Sequence, residues 1–405
     1  MEKIVLFNKK EDCCGCGGCM NICPKKAISM QEDEYGFIYP IIDESLCIGC
    51  KLCKKVCSYQ NERPEHSPLS AYAAVNNNEM QLLKSASGGV FSAIATQFLK
   101  ENGVVFGATL TFENSEANPH HIYIESIEDL PKLQGSKYVQ SSINNCYQEA
   151  KRFLQNGKKV LFSGTPCQIA GLYGYLGKEY DNLLTIEVIC HGVPNLKIFN
   201  GYLRNLCKTL KASKIKNYIF RSKESGWGNN QKVIYEKHNK VISKLLPARL
   251  TLYGTLFYDG EIFRENCYKC RYAEKRRVAD MTIGDYWGIE KEHPNLLSKG
   301  VIIEKNGVSC VLCNTSKGIS VCENADNLFL YKSSYEKISN KNGQLKSPVE
   351  KGKNRDEILT IYKSGGYDAL NKWFNKKYKS KLIIHRVYNL IPKSIRTQLK
   401  KRIGG

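Results

Sequence analysis

The sequence predicts an α+β protein in three parts: a small cysteine-dense domain over residues 1–62, a larger α/β domain over 70–325 and a basic helical tail over 330–405. Three observations carry this. Cysteines recur at fixed spacing up to Cys57 and then thin out. Beyond a polar stretch with two prolines, Tyr59 to Pro68, short apolar runs alternate with helical periodicity, as in α/β domains. From Lys351 onward fifteen Lys or Arg stand against Asp356, Glu357 and Asp368, so this last segment carries +12 of the net +21.

The first domain is a repeat: Cys13-x2-Cys16-x2-Cys19-x3-Cys23-Pro24, then Cys47-x2-Cys50-x2-Cys53-x3-Cys57. Three cysteines spaced by two residues wrap three corners of a [4Fe-4S] cube, and the fourth points to the other cube. The predicted ligand sets therefore cross over: Cys13, Cys16 and Cys19 with Cys57, and Cys47, Cys50 and Cys53 with Cys23. This is a ferredoxin-like two-cluster domain. Zinc sites pair their ligands across a longer gap. Cys14 falls outside the repeat and is predicted to pack, and Ser58 stands where a proline would match Pro24.

The 18 cysteines would be free thiols or metal ligands in a reducing compartment. Met1 to Lys10 offers no signal peptide and no run reaches the roughly 18 apolar residues of a membrane span, so a cytoplasmic protein is expected. Nucleic-acid binding is excluded as a leading reading. The basic excess lies in the tail, without a recognition module.

In the α/β domain, Ser87 is expected to cap a helix with Phe91, Ile94, Ala95, Phe98 and Leu99 on one face, stopping at Gly103 before a strand over 104–110. A strand at 159–164, a helix from Thr165 toward Gly177, a strand at 184–189 and a helix reaching Leu210 follow. Ser85-Ala-Ser-Gly-Gly-Val-Phe-Ser92 puts bare backbone at a helix start, which favours an anionic group or serves as a plain cap.

Together with Gly135-Ser-Lys-Tyr-Val-Gln-Ser141, Ser163-Gly-Thr-Pro-Cys-Gln168, Cys190-His-Gly192, Cys267-x2-Cys270 and Ala279-Asp-Met-Thr-Ile-Gly-Asp-Tyr-Trp-Gly288, these motifs make the chain resemble the family of the coenzyme F-420 hydrogenase/dehydrogenase beta subunit, in the form with an N-terminal two-cluster domain. The resemblance covers residues 10 to 320 approximately. It implies an α/β flavin-binding domain holding FAD beside a third [4Fe-4S] cluster. Ser87, Gly88, Gly89, Ser136, Lys137, Tyr138, Gly164, Thr165 and Gln168 would approach the FAD, and Cys167, Cys190, Cys267 and Cys270 would hold the cluster. Lys137 and His191 are the implied catalytic residues, the Lys137 cation suited to a reduced, anionic ring. A zinc site from Cys267, Cys270, Cys310 and Cys313 is the competing assignment, at odds with its long intervening loop. Cys310, Cys313, Cys322, Cys146 and Cys207 are otherwise expected to be buried.

In the tail, apolar side chains at 383, 387, 391, 395, 399 and 403 form one face, interrupted by Pro392, with Lys and Arg elsewhere. Such a segment suits peripheral membrane contact, docking of an acidic ferredoxin, or packing against the protein itself. The resemblance implies an oxidoreductase that passes electrons between a redox partner protein, such as ferredoxin or a hydrogenase/dehydrogenase subunit, and a small-molecule hydride acceptor or donor, F-420 or another. The alternatives are a non-catalytic electron-transfer subunit, and a redox enzyme or accessory factor of surface polysaccharide biosynthesis.

Overall fold

The protein is described by a computed structural model covering residues 4–390. Its strands are β1 (Ile28–Glu32), β2 (Ile38–Ile42), β3 (Ser70–Asn76), β4 (Val104–Glu113), β5 (Glu116–Ile124), β6 (Val160–Gly164), β7 (Leu183–Val188), β8 (Lys214–Ile219), β9 (Asn230–Lys237), β10 (Lys240–Pro247), β11 (Met281–Asp285), β12 (Ser309–Cys313) and β13 (Leu328–Lys332). Eight form one mixed sheet in the order β13-β3-β12-β11-β7-β6-β4-β5.

The centre of that sheet is parallel, from β4 through β6 and β7 to β11. Strands covered on both faces read as continuous apolar runs, which is what Val104-Val105-Phe106, Val160-Leu161-Phe162 and Leu183-Leu184 are. Alternation divides them between two cores. Val105, Leu161 and Leu184 face the helix Val90–Lys100, whereas Val104, Phe106, Val160 and Phe162 face the helices Cys146–Gln155 and Pro166–Leu176. The helix expected from Ser87 begins at Val90, with Gly89 as its left-handed cap at φ 81°. Ser87 does not cap it, because its hydroxyl donates to the Val308 carbonyl 2.7 Å away.

Because β12 runs antiparallel to both β11 and β3, Ala74 and Asp285 lie level across Ser309. The carboxyl ends of β3, β6, β7 and β11 therefore share one edge of the sheet. Open α/β sheets bind ligands beyond that edge.

A smaller antiparallel sheet, β8-β9-β10, packs with the helices Leu196–Leu210, Leu252–Tyr258 and Arg355–Lys377 around Phe199, Tyr218, Phe220 and Tyr253. The β9–β10 turn has positive φ at His238 and Asn239, as a two-residue hairpin requires. The tail thus begins inside the fold. β13 completes the large sheet, and Tyr367 of the helix Arg355–Lys377 rests on Gly201, where a Cβ would lie 2.6 Å from its ring. Ile383, Ile384 and Val387 are exposed on the helix Lys379–Leu390. The expected face at 391, 395, 399 and 403, and Pro392, lie outside the described residues.

The N-terminal domain is seated on this body. Asn21 donates to the Asn144 carbonyl at 2.8 Å, Asn195 to that of Tyr35 at 2.9 Å, and the segment after Cys57 pairs His66 with Arg277 in an isolated bridge. Among the described residues, no helix is long and apolar enough to cross a membrane.

Candidate redox site

Local backbone geometry repeats with the cysteines. Gly15 and Gly49, one residue before the second cysteine of each motif, have φ of 68° and 70°. Gly17 and Lys51, one residue after it, have φ of 73° and 59° and open the short helices Gly18–Ile22 and Leu52–Lys55. Each loop thus turns twice through the left-handed region, where glycine is cheapest.

The cysteines sort into groups. Cys13 and Cys19 sit in the electrostatic field of Cys16 and Cys57. Cys23, Cys47, Cys50 and Cys53 line one cavity with Pro24, Ala27 and Ile42. A third group forms where Cys190, at the end of β7, meets Cys267, Cys167 and Cys270. The Val193 N–H donates to the Cys267 sulfur at 3.5 Å. The twelve cysteines thus fall into three quartets of neighbours, with the N-terminal motifs crossed over.

Cys14, expected to pack, does more. Its buried thiol hydrogen-bonds to Cys16 of the first quartet and Cys167 of the third, which with burial holds its pKa well above the ordinary thiol value. The two quartets adjoin. The second is outermost, with Cys50 exposed.

Burial pushes Cys13 and Cys267 up to about 11 and Cys270 to about 12, and raises Cys19, Cys53, Cys57 and Cys190 as well, whereas the hydrogen bond from Cys14 holds Cys16 down at about 7 and lowers Cys167. A buried thiolate needs a cation beside it, so these donors suit a metal that supplies the charge. Among the described residues no three His, Cys, Asp or Glu side chains close around a single ion.

The competing zinc set fails on register. Cys310 and Cys313 lie three apart in β12, so they face opposite sides of the sheet, one into the core around Tyr286 and the other into that around Met281. Cys146 and Cys322 are buried as well, and Cys207 is half-buried, its thiol donating to the Ala212 carbonyl.

At the carboxyl edge of the sheet the remaining motifs meet. Gly88 is pressed onto it so closely that a Cβ would lie 2.2 Å from the Ala74 carbonyl oxygen. Lys137 donates to the Leu133 and Gln134 carbonyls, and burial brings it down to about 7. Gln134 in turn reaches the Gln81 carbonyl and the Ser92 hydroxyl, tying the segment carrying Ser136 to the Ser85–Ser92 turn. Thr165 and Gln168 form a capping box on the helix Pro166–Leu176, with Gly164 against Gln168. Tyr138 stacks on Phe257 at 4.7 Å, and His191 stacks on the same ring at 5.8 Å. Burial lowers the His191 pKa.

Sequence reasoning missed the partners that long-range folding supplies. Arg221, after β8, grips Asp285 with bonds of 2.6 and 2.9 Å and donates to the Tyr138 hydroxyl at 3.1 Å. Trp227 donates to Asp285 at 2.8 Å and stacks on Trp287 at 4.7 Å. Lys223 donates to the Ser87 carbonyl, and burial brings its pKa also to about 7. No local motif marks Arg221 or Lys223; only Asp285 and Trp287 were visible, in the 279–288 run.

Sequence-family models for the coenzyme F420 hydrogenase/dehydrogenase beta subunit match residues 71–146 with the N-terminal model and 157–335 with the C-terminal model, together more than half of the chain. The chain belongs to this family. A 4Fe-4S dicluster domain matches residues 12–61, which makes the cysteine-dense module an iron–sulfur, ferredoxin-like domain.

Two curated relatives of this family member are the coenzyme F420-dependent sulfite reductase of Methanocaldococcus jannaschii, 26% identical over 89% of this chain and 54% of its own length, and a subunit of the F(420)H(2) dehydrogenase of Methanosarcina mazei, 23% identical over 41% and 49%. The chain spans about half the length of the curated relatives it matches. A chain of the F420-reducing [NiFe] hydrogenase complex from Methanosarcina barkeri aligns with a TM-score of 0.42 at 16% identity, over 78% of this chain and 94% of that one.

Proposed function

We propose that the protein is an iron–sulfur flavoprotein oxidoreductase: it passes electrons between a redox partner protein, which exchanges them singly at its N-terminal domain, and a small organic substrate, which exchanges them in pairs as hydride. The observation that carries this reading is the grouping of twelve cysteines into three quartets that follow one another inward. In it Cys23, Cys47, Cys50 and Cys53 would hold the outer [4Fe-4S] cluster, Cys13, Cys16, Cys19 and Cys57 the next, and Cys167, Cys190, Cys267 and Cys270 the third. Leu46, Ile48 and Leu52 are exposed beside Cys50 and offer a partner an apolar contact where electrons enter.

The edge carrying Ser87, Gly88, Gly89, Ser136, Lys137, Tyr138, Gly164, Thr165 and Gln168 is the proposed FAD site. A flavin bound there supplies the conversion between one-electron and hydride chemistry. Amides ahead of the helix Val90–Lys100 favour an anionic group, and Arg221 brings a fixed cation to the same edge, with Lys137 and Lys223 as amines that a bound anion would hold protonated. His191, on its Phe257 stack, would hold or orient a proton near the third quartet. Coenzyme F420 is the first acceptor to test, because the family and both relatives are named for it. Peripheral membrane contact through Ile383, Ile384 and Val387 and the basic side chains around them is part of the proposal, with the protein at the cytoplasmic face of the inner membrane.

The deciding test is F420 reduction by the anaerobically purified, flavin-loaded chain with a reduced ferredoxin. Turnover supports the enzyme reading. Flavin bleaching by dithionite with no reduction of F420 or nicotinamide would favour an electron-transfer subunit instead.

A further inference from the structure

Among the described residues four arginines are buried to 5% exposure or less: Arg221, Arg264, Arg277 and Arg355. Three have a carboxylate partner, Asp285, Glu187 and Glu265 respectively. Arg264 does not. Its side chain is wholly enclosed, and among the described residues it forms no ion pair. Instead it donates to three neutral oxygens: the Ile38 carbonyl at 2.7 Å, the Cys13 carbonyl at 2.9 Å and the Gln140 side chain at 3.1 Å. Its plane covers the Tyr39 ring at 4.3 Å, and among the described residues its Nε–H has no partner. Dipoles of this kind do not replace a counter-charge, and an unpaired buried cation is strongly disfavoured.

Its position says where the counter-charge lies. Gly15, inside the first cysteine loop, comes so close that a Cβ would meet the guanidinium at 3.0 Å. On the other side, the Cys267 N–H donates to the Arg264 carbonyl at 3.0 Å, three residues along the chain. The ionisable groups whose fields act on it most are Cys13, Tyr39, Cys267 and Cys14. Arg264 thus stands between the first quartet and the third.

We propose that Arg264 is the shared counter-ion of the first and third clusters and sets their potentials, favouring inward transfer from the second. This rests on the ligand reading given above. Four thiolates carry more negative charge than a cubane core carries positive, so each cluster is an anion that reduction makes more negative. When one electron passes from the first cluster to the third, nothing else moves, since arginine keeps its proton. The fixed cation stabilises the added electron at either place. A cation that served only to fasten the two domains would not distinguish these clusters from the outer one.

The test is an EPR-monitored redox titration of the anaerobically purified full chain, with signals assigned by Cys53→Ser and Cys190→Ser. In Arg264→Gln, the reduction equilibrium constants of the first and third clusters should fall at least about tenfold, about 59 mV for a one-electron couple, with the second moved by less than about threefold. Arg264→Lys, which keeps the charge and loses the forked bonding, should stay within about threefold of wild type at all three. Three unchanged potentials in Arg264→Gln, or an equal shift of all three, would overturn the proposal. Should Arg264→Gln not fold, Arg264→Lys decides alone: retained potentials support the charge, and a tenfold fall or a failure to fold contradicts it. Wild-type protein with only about eight irons would contradict the ligand reading itself, before any variant is compared.

Discussion

The Cys16 sulfur rests on the backbone of Gly171: a Cβ there would stand 2.9 Å from it and 2.9 Å from the Tyr147 hydroxyl. Gly171 lies four residues, one turn, beyond Cys167 on the same helix, so this contact seats the first quartet on the element that carries part of the third.

Replacing Gly171 with Ala should therefore cost more than the gain in helix propensity of about 1 kcal/mol. Overpacking of about 1–3 kcal/mol is expected, with a lowered Tm and loss of iron from the first quartet. An alanine variant as stable and as iron-rich as wild type would show that the contact is loose.

Cysteine variants separate ligands from packing residues. Cys190→Ser should remove about four of about twelve irons, whereas Cys310→Ser and Cys313→Ser should keep all of them, because these two face opposite cores. Iron analysis after anaerobic reconstitution reads this directly, and iron loss in Cys310→Ser would restore the rival assignment.

Glu187 is wholly buried and accepts from Arg277 and from Thr282 at 2.9 Å, fastening β7 to β11. Glu187→Gln leaves the Arg277 charge uncompensated and should cost about 3–5 kcal/mol. Replacing both residues by apolar ones should recover a large part of that in thermal unfolding; a double variant no more stable than Glu187→Gln would contradict this account.

Acid should act through His121. Its ring, held between the Ser163 carbonyl and the Ser141 hydroxyl, is buried, which pushes its pKa down to about 4 from 6.5. As pH falls through 6.5 the unfolded chain takes up a proton that the folded chain refuses until about 4, so stability is lost across that window, by about 3 kcal/mol in all. Wild type should thus lose Tm relative to His121→Gln between pH 7 and pH 5, and a constant difference would exclude His121 as the cause.

What could be read from the sequence follows the range of the interactions involved. Val160–Gly164, Leu183–Val188 and the helices Pro166–Leu176 and Leu196–Leu210 announce themselves through local patterning and caps, and the cysteine repeat fixes which sulfurs group together. The antiparallel additions β12, β3 and β13, and the docking of Tyr367 on Gly201, depend on pairings between residues hundreds of positions apart in sequence or on shape alone. Spacing treats Cys14, outside the repeat, as inert, while its role comes from Cys167 arriving beside it. Arg264 belongs to no motif; what singles it out is a buried guanidinium with no carboxylate partner among the described residues.

The proposed function rests on three four-iron clusters held by twelve named cysteines. Iron, acid-labile sulfide and zinc analysis of the anaerobically purified chain, wild type against Cys167→Ser/Cys190→Ser, tests it most directly. The account predicts about twelve irons falling to about eight, with no zinc; about eight irons in both proteins, or zinc in place of iron, would contradict it.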